Sequence, residues 1–175
     1  LQIANGGEHI EAFEFADGSV FDTLQVAPVA GGTYTTDSPG ASNDVILGLD
    51  AADRLWAGDG DDLLNPGGAP VGSWQYLYGQ DGDDTYVYGT ESGLVYIGSA
   101  AEDADSGTMD RVVLKDLLPQ DVVLGYKDYT ASYPSEGLAL MIQWQTEDGS
   151  GQLQIANGGE HIEAFEFADA EEYTL

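Results

Sequence analysis

From Gly137 to Gln145 the chain reads GLALMIQWQ, where Leu138, Leu140, Ile142 and Trp144 alternate with smaller or polar residues. That period belongs to a strand with one buried face. After a Gly-rich turn at Asp148 to Gly151, Leu153 and Ile155 continue the alternation, and RVVLKDL and DVVLGYK flank Pro119 as two further strands around a short turn. The C-terminal half is therefore expected to be β-rich, not helical. Upstream the apolar positions thin out and fall into a period of nine. From Pro39 the chain runs PGASNDVIL, GLDAADRLW and AGDGDDLLN, then an irregular insert, PGGAPVGSWQYLY, then GQDGDDTYV. In all four nonapeptides the sixth residue is Asp (Asp44, Asp53, Asp62, Asp84) and the eighth is large and apolar (Ile46, Leu55, Leu64, Tyr86).

A longer repeat encloses this one. LQIANGGEHIEAFEFAD occupies Leu1 to Asp17 and recurs unchanged at Leu153 to Asp169, an offset of 152 residues. The copies then diverge, as GSVFDTL and AEEYTL, but keep an aromatic, a Thr and a Leu. The simplest reading is a protein of tandem units of about 150 residues, of which this chain holds one unit and an overlapping edge. It begins in mid-pattern, as an excised piece of something longer would.

Charge changes the picture. With 32 acidic and 4 basic residues the chain carries a net charge of −28, a repulsion that must be relieved before a compact state is favourable. Protons, a basic partner or a hard divalent cation could relieve it, and Ca²⁺ suits clustered carboxylate and carbonyl oxygens best. Nucleic acid and anionic membrane surfaces are disfavoured as partners. A hydrophobic content of 42%, with ten Tyr, five Phe and three Trp, is too apolar for a permanently disordered acidic tail. Cys is absent, so there is no disulfide framework or thiolate metal site. No stretch reaches the roughly 18 apolar residues that span a bilayer, so membrane insertion is not expected.

The nonapeptides match GGxGxDxUx, with U large and apolar, and on these residues the chain resembles the RTX (repeats-in-toxin) family of secreted calcium-binding proteins. AGDGDDLLN and GQDGDDTYV carry the closest likeness; the first two nines have Ser42, Leu49 and Ala51 where glycines would stand. Downstream, MDRVVLKDLLPQDVVL, LALMIQW and IEAFEFAD resemble the haemolysin-type calcium-binding domain that follows such repeats. The resemblance implies an all-β fold, a parallel β-roll with a β-rich C-terminal cap. Residues 1–29 would be the end of a preceding unit, 30–92 the calcium-binding roll, and 93–175 the haemolysin-type related domain.

In such a roll each nine is a six-residue turn and a three-residue strand, so turns eighteen apart stack. Glycines serve where the backbone takes positive φ and turns its carbonyls inward, and the sixth-position Asp projects between stacked turns. Ca²⁺ wants six to eight oxygens at about 2.3–2.6 Å, which two turns can offer as two carboxylates and several carbonyls. The expected metal residues are Asp44, Asp53, Asp59, Asp62, Asp81 and Asp84, with Gly58, Gly60, Gly79 and Gly82. One site is expected between the turns of Asp44 and Asp62, 18 residues apart. A second, between Asp62 and Asp84, requires the insert around Pro66 to Tyr76 to bulge outward. Asp53 faces the other side, where Pro66 to Gln75 contains no Asp and Gly67 and Gly68 offer carbonyls only.

Other chemistries fit less well. An EF-hand starting at Asp59 or Asp81 would need Gly where Leu64 and Tyr86 stand. Asp103, Asp105 and Asp110 in EDADSGTMD read as a solvated loop. His9 and His161 lack further ligands nearby in sequence and read as surface strand residues. Glu11 with Glu14, and Glu163 with Glu166, are pairs that so acidic a chain produces by chance, and no nucleophile and base stand at catalytic spacing. The sequence thus describes a non-catalytic calcium-dependent structural module of a large secreted or cell-surface repeat protein, of adhesin, fibre or surface-layer type. Its neighbours would be further repeat units, and the resemblance implies type I secretion from a Gram-negative bacterium. The alternative is a carbohydrate-binding accessory module of a secreted polysaccharide-modifying enzyme, with Trp56, Trp74, Tyr76 and Tyr78 as an aromatic platform for cell-surface glycans.

Overall fold

The computed structural model describes residues 13–14, 20–21, 23–26, 33–35, 42–98, 109–132, 137–147, 149–169 and 172–174. Among these the regular structure is strand, with short 3-10 turns and no α-helix. The strands are β1 (Phe13–Glu14), β2 (Val20–Phe21), β3 (Thr23–Val26), β4 (Thr33–Thr35), β5 (Asp44–Leu47), β6 (Arg54–Asp59), β7 (Leu63–Asn65) and β8 (Trp74–Asp81). They continue as β9 (Thr85–Tyr88), β10 (Leu94–Ile97), β11 (Arg111–Leu114), β12 (Val122–Asp128), β13 (Leu138–Thr146), β14 (Gly149–Ile155), β15 (Ala164–Phe167) and β16 (Glu172–Thr174). The described part of the protein is all-β.

From β3 to β11 successive strands alternate between two sheets, and each pairs in parallel with the strand two places on. One sheet has the order β12-β13-β14-β10-β8-β6-β4 and the other β16-β15-β11-β9-β7-β5-β3. Among the described residues antiparallel pairing enters these two sheets where β12, β13 and β14 form a meander and where β16 closes on β15, and it also joins β1 to β2 in a separate two-stranded sheet. Both sheets run on past residue 92, since β10 and β11 pair in parallel with β8 and β9.

The eighth-position residues build the interior, though as two ladders. Ile46, Leu64, Tyr86, Val112 and Phe165 lie in register in one sheet; Leu55, Leu77, Ile97 and Ile155 do so in the other, continued by Leu140. All are buried in one apolar cluster between the sheets. Nines alternate between sheets, so Leu55 stands opposite Ile46 and Leu64 and in a ladder of its own. In β13, Leu140, Ile142 and Trp144 are buried as the alternation requires, but Leu138 is half exposed near the strand's start. The insert is shorter than expected: Trp74 to Tyr76 already belong to β8, leaving residues 66–73 to leave the sheet, with Val71 fully exposed.

The long repeat has a structural echo. Phe13 pairs with Phe21 and Glu14 with Val20 in β1–β2; 152 residues on, Phe165 pairs with Tyr173 and Glu166 with Glu172 in β15–β16. The same sequence closes the same hairpin register twice.

Truncating a ladder rung leaves a cavity between rigidly paired strands. Leu64→Ala is expected to lower unfolding free energy in saturating calcium by about 2–5 kcal/mol, while Val123→Ala, on an exposed position of β12, changes it by under about 0.5 kcal/mol. Urea denaturation of both variants checks this.

Candidate metal centre

In a strand, residues two apart face the same way. Asp44 and Ile46 are such a pair, so the register that stacks the apolar ladder also stacks the acids that precede β5, β7 and β9 or begin them. The backbone N–H of Asp44 donates to Asp62 Oδ1 at 2.7 Å, and that of Asp62 donates to Asp84 Oδ1 at 2.9 Å. The series continues beyond the nonapeptides: Asp84 N–H donates to Asp110 Oδ1 at 2.7 Å and Asp110 N–H to Glu163 Oε2 at 2.7 Å. Asp44, Asp62, Asp84 and Asp110 are all buried. A second row runs along the outside, where Asp61 N–H donates to Asn43 Oδ1 and Asp83 N–H to Asp61 Oδ1 at 2.9 and 3.0 Å.

Glycines let these turns approach. Gly60 and Gly82 have φ of 131° and 137°, and a Cβ at either would fall 2.2 Å from the Ser42 carbonyl oxygen or 2.0 Å from that of Gly60. A Cβ at Gly79 would fall 1.8 Å from Asp84 Oδ2, so this glycine admits the carboxylate itself. Gly58 takes φ of 107°, and in the next coil Gln80 takes the same place at 79°, bearing the cost of a left-handed side-chain residue. Asp59 and Asp81 sit in register at the ends of β6 and β8, where their backbone carbonyls accept from Ser42 and Gly60 at 3.1 and 2.8 Å.

Of the residues the sequence singled out, the structure gathers Asp44, Asp59, Asp62, Asp81 and Asp84 with Gly58, Gly60, Gly79 and Gly82 along one edge of the sheets. Asp53 is buried in the turn before β6, where its Oδ2 accepts the Leu49 N–H at 2.7 Å. Asp110 and Glu163, read from sequence as a solvated-loop residue and half of a chance pair, join the acid column instead. They stand outside the nine-residue frame, and the only sequence signal was an acid directly before a strand-like run, RVVL or AFEF. His161 and Glu166 lie outside the column; Asp103, Asp105, His9 and Glu11 lie outside the described residues. Among the described residues no three His, Asp or Glu side chains form a ready-made metal cluster, so the donors on offer are paired carboxylates with turn carbonyls.

Asp62 tests whether such donors fit a cation. One of its oxygens holds the Asp44 N–H, while Oδ2 is buried with no hydrogen-bond partner. A buried carboxylate oxygen without a donor is strongly disfavoured unless a proton or cation meets it. Burial, above all, pushes the Asp62 carboxyl up to about 7; the Asp44 N–H pulls it back, and the charges of Asp44, Asp61 and Asp59 push it further up. A hard cation answers burial and repulsion together. The fold and this site define a protein of stacked acidic turns whose donor set fits a hard divalent ion.

Comparison with known proteins agrees. Residues 39–69 match the RTX calcium-binding nonapeptide repeat (four copies), so over this stretch the chain is similar to a repeat family that binds Ca²⁺. The match ends before GQDGDDTYV, which the structure nonetheless stacks in register on AGDGDDLLN. No curated protein matches the chain.

The ion-free folded chain holds a proton on Asp62 that the unfolded chain, near 3.8, releases. That contribution to stability is complete below about pH 3.8 and fades as pH rises to about 7, while calcium must expel the proton below 7. Calcium titrations between pH 5.5 and 8 are expected to show affinity weakening below about 7, by up to roughly tenfold per unit for one displaced proton. A flat profile contradicts this.

Proposed function

We propose that the chain is a calcium-dependent structural module of a large secreted or cell-surface repeat protein, of adhesin, fibre or surface-layer type, which folds on meeting calcium outside the cell. The observation that carries the reading is the buried column of Asp44, Asp62 and Asp84, with the second Asp62 oxygen sealed from water and lacking a donor. Asp44, Asp62 and Asp84, with carbonyls of the turns containing Gly58, Gly60, Gly79 and Gly82, would hold the ions. Calcium supplies positive charge and a flexible oxygen shell there.

Strands that alternate between two parallel-paired sheets support reading the fold as a β-roll. We propose segments 1–29, 30–92 and 93–175 as lead-in, ion-binding roll and closing strands, with the acid column running on into the third through Asp110 and Glu163. Among the described residues no helix is long and apolar enough to cross a membrane. Export unfolded from a calcium-poor cytoplasm by a type I system fits a fold that waits for the ion, because binding energy then becomes folding energy. The repeated hairpin register supports units joined end to end, each β15–β16 type hairpin leading into the next roll. The reading assigns the module no catalytic step.

A second reading has its own observation. Arg54 lies 4.1 Å over the Tyr76 ring, Tyr76 and Tyr96 are 6.0 Å apart on neighbouring strands, and Trp56 stacks on Tyr78 at 4.6 Å. Trp56, Tyr76 and Tyr96 are half-buried while Tyr78 is buried beneath Trp56, and partly exposed aromatic rings of this kind can receive sugar rings. If the module binds cell-surface glycans through this row, Trp74→Ala with Tyr76→Ala is expected to abolish binding on a glycan array that the parent chain shows; absence of any parent binding leaves the scaffold reading alone.

For the first reading, circular dichroism is expected to show a weak β signal without calcium and a cooperative gain on adding it, with magnesium ineffective. Asp62→Asn is expected to move the midpoint at least tenfold higher in calcium. The same β spectrum with and without the ion removes the switch.

A further inference from the structure

The acid column occupies one edge of the sheets, and Asp53 marks the other. Arg54 pairs with Tyr76, so the residue preceding each, Asp53 and Gln75, occupies the same column one coil apart. Both are fully buried. Where the first edge repeats a carboxylate, this edge replaces it with an amide.

The two ends of that amide meet different surroundings. Gln75 Nε2 donates to Gly67 O at 3.3 Å and to Ser92 O at 3.1 Å, one carbonyl from its own turn and one from the turn of the following coil. Only the NH₂ end of an amide can face two carbonyl oxygens. Gln75 Oε1 is buried and has no hydrogen-bond partner. A buried amide oxygen without a donor costs free energy comparable to a lost hydrogen bond unless a cation meets it.

On the side of the preceding coil the oxygens of two turns crowd together. A Cβ at Gly48 would fall 2.3 Å from Pro66 O and 3.0 Å from Asp53 Oδ2. One at Gly67 would fall 2.9 Å from Gly48 O and 3.3 Å from Leu49 O. The turns of Gly48 and Gly67 thus approach backbone to backbone, with carbonyls between them and the Asp53 carboxylate alongside.

We propose that Gln75 terminates the ion column on this edge: its Oε1 is a ligand of a Ca²⁺ shared with Asp53, and its NH₂ stands where the next coil's cation would otherwise stand. A carboxylate in its place would present acceptors on both sides and require an ion on each. The amide accepts toward one coil and donates toward the other, so stacking continues past the insert without further metal. This rests on the calcium-binding reading above and adds a ligand that the nonapeptide pattern, which asks for Asp, does not contain.

The test is the number of calcium ions held by the whole chain, counted by native mass spectrometry and by calorimetric stoichiometry, for the parent, Gln75→Glu and Gln75→Met. Gln75→Glu is expected to hold one ion more than the parent, because Gly67 O and Ser92 O then face a carboxylate and need a cation between. Gln75→Met, similar in length and without a hard oxygen, is expected to hold one ion fewer. An unchanged count in Gln75→Glu overturns the stand-in role, and an unchanged count in Gln75→Met overturns the ligand role. Should Gln75→Met fail to fold at any calcium concentration, Gln75→Asn, whose shorter amide cannot span the same distance, takes its place with the same expected loss. A parent chain that binds no calcium at all defeats the calcium reading itself, an outcome distinct from either count.

Discussion

The structure depends on a backbone N–H in one turn meeting a carboxylate from the next. Asp44 to Asp62, Asp62 to Asp84, Asp84 to Asp110 and Asp110 to Glu163 repeat it without interruption. Each bond uses a single carboxylate oxygen and brings another negative charge into a buried row. The arrangement fixes the coils in register and leaves the row short of positive charge.

Magnitudes show how much a cation between the turns would matter. Neighbouring strands lie about 4.8 Å apart, and two charges at that spacing repel by roughly 3–4 kcal/mol at an effective dielectric constant near 20. Fully burying a Leu or Ile contributes about 1.5–3 kcal/mol. Each nine adds one buried acid and one apolar rung, so repulsion in the ionised column is as large as the gain in the core. Apolar packing alone therefore leaves the stack near balance, and a divalent ion between turns would tip it. The same comparison explains the value of an amide at Gln75, which keeps a coil stacked without adding charge.

Interruptions of the repeat fall where the stack tolerates them. Residues 66–73 leave the sheet between two strands, so β8 still pairs with β6 and β9 with β7 in register. The long segment between β11 and β14 returns as an antiparallel meander at one end of its sheet, which extends that sheet without disturbing the parallel coils. In both cases the inward column is preserved: residues 66–73 lie outside it, and the meander continues it through Leu140.

Much of this was legible in the chain itself, because period-nine spacing and period-two alternation are local. Asp at the sixth place and Ile, Leu or Tyr at the eighth of each nine, glycines where carbonyls must turn, and the alternation of Leu140, Ile142 and Trp144 each follow from rules acting within a few residues. What only the tertiary structure decided are the partners brought together by parallel pairing across long separations. Asp110 and Glu163 join the acid column, Leu138 is left half exposed, and Gln75 takes the place of an Asp. None of these obeys the local period. Each is set by which strand lies beside it, and parallel pairing through intervening loops of variable length leaves no fixed spacing in the sequence to read.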